Sequence, residues 1–290
     1  MTQGSSFTSK VLQANLTLTS GTFDGTHNTA QLSGLRMSAE IDKGGHPSKN
    51  KLKLKIFGMS QNDMAKLTTL PAKSGKALAV HKSKLQLLAG DEYGLATAFT
   101  GEITGAWIDY QSAPDMDFNI EAIAGYYPAI APVAPKSYQG GVPVAQLMET
   151  LASQMGYAFE NAGVTAQLHN PYLPGTAMQQ AAAIAAAANI EFGVDDDTLF
   201  IAPRGTARVG NAPLISAATG LKGYPIFDKE GLKLVSLYNP GIKLGGLISV
   251  QSSIAVVCGT WRVHGLKHHL ACLTPGGPWD SKVSATWVGN

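Results

Sequence analysis

Cys258, His264, His268, His269 and Cys272 are the best candidates in this chain for a metal centre. A structural zinc site needs about four such ligands converging tetrahedrally. Their spacing fits no compact knuckle, and a strand sends the neighbours His268 and His269 to opposite faces, so no metal is expected. The run Asp195, Asp196, Asp197 carries charge suited to calcium but lacks the further ligands and the glycine of a calcium loop. A hairpin turn explains it more simply. The scattered carboxylates Asp115, Asp117 and Glu121 could in principle form a glycosidase pair, yet nothing in the sequence fixes their separation. Trp107, Trp261, Trp279 and Trp287 could stack on sugars; as core or interface anchors they play a more ordinary part. No Gly-x-Ser-x-Gly elbow, Gly-x-x-x-x-Gly-Lys phosphate cradle or His-Glu-x-x-His helix is present. No catalytic residue, cofactor-binding residue or metal ligand is assigned, and no enzyme is expected.

The elements that must carry these residues fall into three parts. In the first, Lys51-Leu52-Lys53-Leu54-Lys55-Ile56-Phe57 alternates strictly, with lysines on one strand face and apolar groups on the other. A lysine stripe could line a nucleic-acid channel, but no aromatics interleave as a stacking platform needs, so a solvated strand face is expected. Ser60, with Asp63 three residues on, caps a short helix holding Met64, Leu67 and Leu70 and ending at Pro71. Strands follow over 96–110 and 116–124, with Pro114 and Asp115 in the turn. In the middle part, Pro143 suits a first helical position; Val144, Leu147, Met148, Leu151 and Met155 form one apolar face, and Gly156 stops the helix. Thr176-Ala177-Met178-Gln179 reads as a capping box opening an alanine-rich second helix. Ile190 and Phe192 then lead to the aspartate turn and back through Leu199, Phe200 and Ile201. The last part returns to strands over 232–237, 242–249, 255–273 (broken near Gly265) and 283–288. A weak self-similarity links the series from Ala98 to about Ala124 with that from Arg262 to about Trp287, as a duplicated β-barrel, or any two hairpins, would produce.

Proline and glycine mark both joints, which divides the chain into residues 1–127, a linker at 128–142, a small α/β module at 143–203, and residues 204–290. The charged fraction is 14%, against roughly 25% in ordinary globular domains. With 32 glycines, that suits a protein burying much of its surface against neighbours and equally one whose surface is merely uncharged. A net charge of +2 argues neither for nor against nucleic acid. The residues from Met1 to Ser6 lack the features of a signal peptide, and the alanine run is too short to span a bilayer. Neither secretion nor membrane insertion is expected. Cys258 and Cys272 could face each other across a hairpin, although cytoplasmic synthesis favours two free thiols.

Several segments resemble the baseplate hub proteins of tailed bacteriophages, the family that includes the late-control D type. They are Ile56-Phe57-Gly58-Met59-Ser60 with its helix, Ala89-Gly90-Asp91, Phe99-Thr100-Gly101-Glu102-Ile103 and Asn170-Pro171-Tyr172-Leu173-Pro174-Gly175. In the last part they are Thr219-Gly220-Leu221-Lys222-Gly223-Tyr224-Pro225, Gly231, Asn239-Pro240, Gly245-Gly246, Ser249, Gly259-Thr260-Trp261 through His268, and Pro275-Gly276-Gly277-Pro278-Trp279. The order and spacing of these segments, from about residue 30 onward, carry the resemblance. It implies a mainly β, α+β chain with two tube-like β-barrel domains flanking the α/β module. It further implies a homotrimer forming a pseudo-sixfold ring between a hexameric tail tube, or a tube-initiator protein, and a trimeric spike. Other baseplate proteins and a tape measure protein are further implied partners, and DNA passes through the lumen without specific binding. The virion tail baseplate, assembled in the host cytoplasm, is the implied location. With the chain ending at Asn290, the spike is expected to be a separate protein. The alternatives are a tail-associated enzyme cutting the cell wall and a module binding host glycan.

Overall fold

The alternation at Lys51–Phe57 folds as expected: Leu52, Leu54 and Ile56 are buried and the three lysines exposed. The computed structural model describes residues 8–44, 48–68, 83–111, 116–229 and 231–289. The opening hexapeptide, the helix stop at Leu70 and Pro71, and the turn at Pro114 and Asp115 lie outside the described residues.

The first part comprises β1 (Lys10–Thr17), β2 (Thr29–Leu32), β3 (Met37–Lys43), β4 (Lys51–Phe57), α1 (Gln61–Leu67), β5 (Lys84–Asp91), β6 (Gly94–Asp109) and β7 (Asp117–Ile123). The middle part holds α2 (Tyr126–Ile130), β8 (Lys136–Ser137), β9 (Gly141–Pro143), α3 (Val144–Met155), β10 (Ala158–Asn161), β11 (Gln167–His169) and β12 (Tyr172–Leu173). It ends with α4 (Ala177–Ala188), β13 (Ile190–Asp195) and β14 (Thr198–Pro203). The last part is β15 (Leu214–Ile215), β16 (Leu221–Asp228), β17 (Gly231–Leu237), β18 (Leu247–Val250), β19 (Gly259–Cys272) and β20 (Trp279–Gly289).

The chain is mainly β with an α/β module, but the strands do not close into two barrels. Antiparallel ladders run in one open path, β16-β17-β20-β19-β3-β4-β7-β6-β5-β1-β2, with β18 and β15 branching from β19. The reason is β19. Its 14 residues extend about 46 Å at strand rise, enough for two partners along one edge. Its first residues pair with β18, and Leu266 to Cys272 pair with Lys43 to Met37 of β3. That ladder welds the last part to the first. Two apolar clusters lie on the sheet: one shared by β1, β3 to β7 and the helices of the module, and one around Trp261, Val263, Ile248 and Leu232.

The long strands β6 and β19 share a local form. Each carries a bulge one residue before a glycine: Ile103 and Gly105 oppose Ala122 and Glu121, and Val263 and Gly265 oppose Ala285 and Ser284. Thr104 and His264 are the extra residues, and bulges of this kind bend and twist the strand. The two series aligned in the sequence therefore fold as similar bulged hairpins.

The module follows its local signals. Thr176 Oγ1 accepts from Gln179 N–H at 3.3 Å and the Gln179 side chain accepts from Thr176 N–H at 2.9 Å, completing the capping box. Gly156 ends α3 at φ 76°, a left-handed conformation that favours glycine. Asp196 and Asp197, at φ 49° and 60°, form the two-residue type I′ turn that matches strand twist. Three boundaries differ from expectation. Pro143 is the residue before the helix rather than its first, a one-residue shift common at helix ends. Residues 242–246 are turns, with Ile242 N–H bonded to Asn239 O and Gly246 N–H to Lys243 O, so the strand there begins at Leu247. Residues 255–257 are a short 3-10 turn before β19.

Candidate functional site: a buried charge cluster where the three parts meet

Met37, Ala39, Ile41 and Lys43 fall on the same face of β3, so the lysine occupies a position patterned as apolar. It is 5% exposed. Its ammonium donates to Asp195 Oδ1 at 2.8 Å and to Asp196 Oδ2 at 2.7 Å. These carboxylates stand at the β13–β14 turn of the module. From beyond the second joint, Arg208 lays its fork across Glu160 of β10, with Nε to Oε1 at 3.1 Å and Nη2 to Oε2 at 2.7 Å. Its Nη1 reaches Asp195 Oδ2 at 3.0 Å and Leu244 O at 3.2 Å. Asn50 Nδ2 donates to Val194 O at 3.0 Å. On the far side, buried His268 of β19 bonds Ser281 Oγ through Nδ1 at 2.8 Å and meets the Tyr238 ring edge-on at 5.1 Å. A cavity of about 300 Å3 lies between these groups, lined by Lys43, Asp195, Asp196, Arg208, Tyr238 and His268 among others.

Burial opposes charge on Lys43, but Asp195 and Asp196 outweigh it and hold the ammonium above its ordinary value. Burial likewise opposes ionisation of Asp195, and Lys43 and Arg208 outweigh it, so this carboxyl stays below its usual range. Asp196 is the exception: burial dominates, neighbouring Asp195 adds to it, and the carboxyl is pushed up to about 6. Burial, then Lys43, pushes the His268 imidazole down to about 3. Cations already occupy the carboxylates, so the cluster offers no free set of anionic ligands for a metal. What it does chemically is clamp three parts of the chain together.

The opposed shifts predict an unusual pH response. His268 is neutral when folded, whereas the unfolded chain takes up its proton below the ordinary 6.5; its stability contribution is lost as pH falls from 6.5 toward 3. Asp196 behaves in reverse. Its folded pKa of about 6 exceeds the ordinary 3.8, so its contribution is complete below 3.8 and lost as pH rises through 6. Each slope is about 1.4 kcal/mol per pH unit, and they cancel between pH 6 and 4. Asp196→Asn removes one of the two. Between pH 6.5 and 4 this variant is expected to lose about 2–3 kcal/mol more than the parent protein, measured by urea unfolding. Parallel pH profiles for the two proteins would show that Asp196 titrates normally.

The residues singled out in the sequence do not join this cluster, apart from His268 and the aspartates. Cys258 and Cys272 sit at opposite ends of β19, on the order of 40 Å apart by strand rise, and both are free thiols. Cys258 Sγ donates to Ser252 O and Cys272 Sγ to Leu35 O. His264 is exposed on the bulge, and His269 lies on the face opposite His268, 3.9 Å from both Glu40 and Asp280. Among the described residues, no three His, Cys, Asp or Glu side chains gather as a metal site. Asp117 and Glu121 are four residues apart on one strand, about 13 Å, beyond the roughly 5–9.5 Å of a glycosidase pair. Asp117 is instead buried and paired with Lys55 at 3.0 Å. Trp261 is buried, its Nε1–H donating to Val257 O at 2.9 Å, and Trp279 is buried beside Tyr238. Trp107 and Trp287 are about half exposed. Lys53 faces Glu40 and Glu121 across its two ladders, so carboxylates interrupt the lysine stripe. Lys43, Arg208 and Glu160 escaped the sequence reading. The signal for Lys43 was a lysine at an inward strand position; Arg208 has no such signal.

The fold is that of phage tail proteins. A tail protein from Neisseria meningitidis MC58 superposes with a TM-score of 0.65 at 10% identity, over 96% of this chain and 97% of that one. The 43 kDa tail protein of prophage MuSo2 from Shewanella oneidensis gives 0.60 at 10% identity over 96% of each. The E. coli c3393 protein, a component of the type VI secretion system with structural similarity to T4 bacteriophage tail proteins gp27 and gp5, gives 0.59 at 12% identity. That match covers 88% of this chain and 74% of the other. The sequence matches the baseplate hub gp41 family over residues 11–273, and the chain belongs to that family, whose place is the phage tail baseplate. No curated protein matches the sequence.

Proposed function

We propose that this chain is a structural hub without catalysis, three copies of which form a pseudo-sixfold ring joining a hexameric tail tube to a trimeric spike. The observation that carries this reading is the recurrence of one bulged hairpin, β6–β7 and β19–β20, in the two β parts of a single chain. Three chains then present six similar units to a sixfold neighbour and three whole chains to a threefold one. In this reading residues 1–127 and 204–290 are the paired tube-forming units and 143–203 the insert between them. DNA passes through the lumen without specific contacts. The other baseplate proteins and the tape measure protein are neighbours, and assembly takes place in the host cytoplasm. The buried clamp keeps the two units of one chain in fixed relation, as a ring of defined symmetry demands. The test is light scattering of the protein alone and with the tube and spike proteins of the same tail. A mass three times that of the 30.4 kDa chain, retained in complexes with both partners, is expected. A strict monomer that ignores both, or one that degrades cell wall, would overturn the reading.

A further inference from the structure

Two features beside β6, one at its start and one level with its middle, are unused by the fold. One is the tip of the β5–β6 hairpin. Asp91 pairs with Gly94, leaving Glu92 and Tyr93 as a two-residue turn, where glycine and small polar residues are the ordinary choice. Tyr93 is instead 83% exposed, more than any other large apolar side chain among the described residues. The turn beneath it is held firmly. Tyr93 N–H donates to Asp91 Oδ1 at 3.0 Å, and a Cβ on Gly90 would stand 2.0 Å from Gly94 O. Glu92 is exposed and has no ion-pair partner among the described residues.

The other feature is a notch of about 200 Å3 between α2, α4 and β13. Ala124, Ala129, Ala182, Gly193 and Met178 line it, with Lys49 at its side. The notch is smaller than the roughly 300–1,000 Å3 of small-molecule sites. An apolar cavity of about 150 Å3 accepts benzene, so the notch suits a single aromatic ring. Lys49 lies 5.4 Å from the Tyr126 ring centroid and has no carboxylate partner among the described residues.

We propose that Tyr93 of one copy inserts into this notch on a second copy, with Glu92 meeting Lys49. The proposal rests on the reading of the chain as a self-assembling hub and names the junction. A chain cannot serve its own notch. The tip begins at Gly94, while the notch starts at Ala124, directly after Ile123, whose partner on β6 is Glu102. The two are about seven residue steps, or about 23 Å, apart along the strand, more than a tyrosine side chain spans. Each copy offers one tip and one notch; in a trimer the tip of each copy enters the notch of the next, a heterologous contact that closes a ring by rotation.

Tyr93→Ala removes the tip and Lys49→Glu spoils the notch, each at a position outside the apolar core. Light scattering over a concentration series is expected to show each variant requiring about tenfold or more protein for half-assembly, with an unchanged melting temperature. Mixing the two variants leaves one working junction per pair, because the intact tip of Lys49→Glu still fits the intact notch of Tyr93→Ala. The mixture should therefore stop at dimers. Adding Glu92→Lys to Lys49→Glu should restore the parent mass. A parent trimer that survives both single substitutions overturns the junction and leaves the hub reading standing. Loss of tube-protein binding by Tyr93→Ala with its trimer intact overturns it too, by giving the tip another occupant. A parent protein that stays monomeric overturns the junction, and sinks the hub reading as well only if it also ignores tube and spike.

Discussion

Lys43→Met is expected to destabilise the fold by about 3–5 kcal/mol, the usual result of deleting one partner of a buried ion pair. Methionine retains the length and apolar stem of lysine, so packing on β3 is largely preserved and the loss reports charge. Asp195 keeps Arg208 at 3.0 Å, but Asp196 loses its cation and faces a buried like charge. Its carboxyl is already raised to about 6 by burial, and without Lys43 it rises further. The loss should therefore be greater at pH 7 than at pH 4.5, where Asp196 is protonated in both proteins. Asp196→Asn combined with Lys43→Met should recover part of the loss, as coupled sites do. Urea unfolding is the suitable measurement, because salt does not screen the pair; a lower midpoint with unchanged slope identifies a change in stability. A loss below about 1 kcal/mol would place this pair with exposed salt bridges and remove the clamp from the account of the fold.

Leu234→Asp should do more. Leu234 is 4% exposed on β17, opposite Val283 of β20. Losing a buried leucine removes about 2–5 kcal/mol, and a carboxylate in its place must be desolvated or protonated in addition. The sum approaches the whole stability of an ordinary domain, about 5–15 kcal/mol. The last part of the chain is expected to unfold, seen as loss of the buried Trp261 signal in near-ultraviolet circular dichroism and fluorescence. Val235→Asp is the control. The sequence suggests that leucine and valine of this strand are both buried, but the inward residues are Leu232, Leu234 and Ser236, and Val235 shares the outer face with Lys233. Its substitution should cost on the order of 1 kcal/mol. Equal effects at the two positions would mean that this strand is covered on both faces.

Much of the local structure was legible because it depends on neighbours in the chain. Alternation of lysine and leucine sets the faces of β4, the Thr176 and Gln179 pair opens α4, Gly156 closes α3, and three aspartates make a turn whose left-handed residues favour Asp and Asn. These preferences act over two to five residues, so a single sequence reveals them. Half of the clamp was visible in the same way, since Asp195 and Asp196 stand in that turn. The other half was not. Lys43 and Asp195 are 152 positions apart, and Arg208 reaches Asp195 and Glu160 from a segment without periodic pattern. The union of all the larger strands in one open sheet likewise depends on β19 pairing with β3, a choice among many edges of similar hydrogen-bonding capacity. The sequence by itself determined the helices of the module, the aspartate turn and the apolar faces of β4 and α3, because those follow from backbone preference and side-chain period. Only the tertiary structure decided which edges pair and which buried charges meet. Their energies depend on burial and mutual distance, and neither exists until distant parts of the chain have packed.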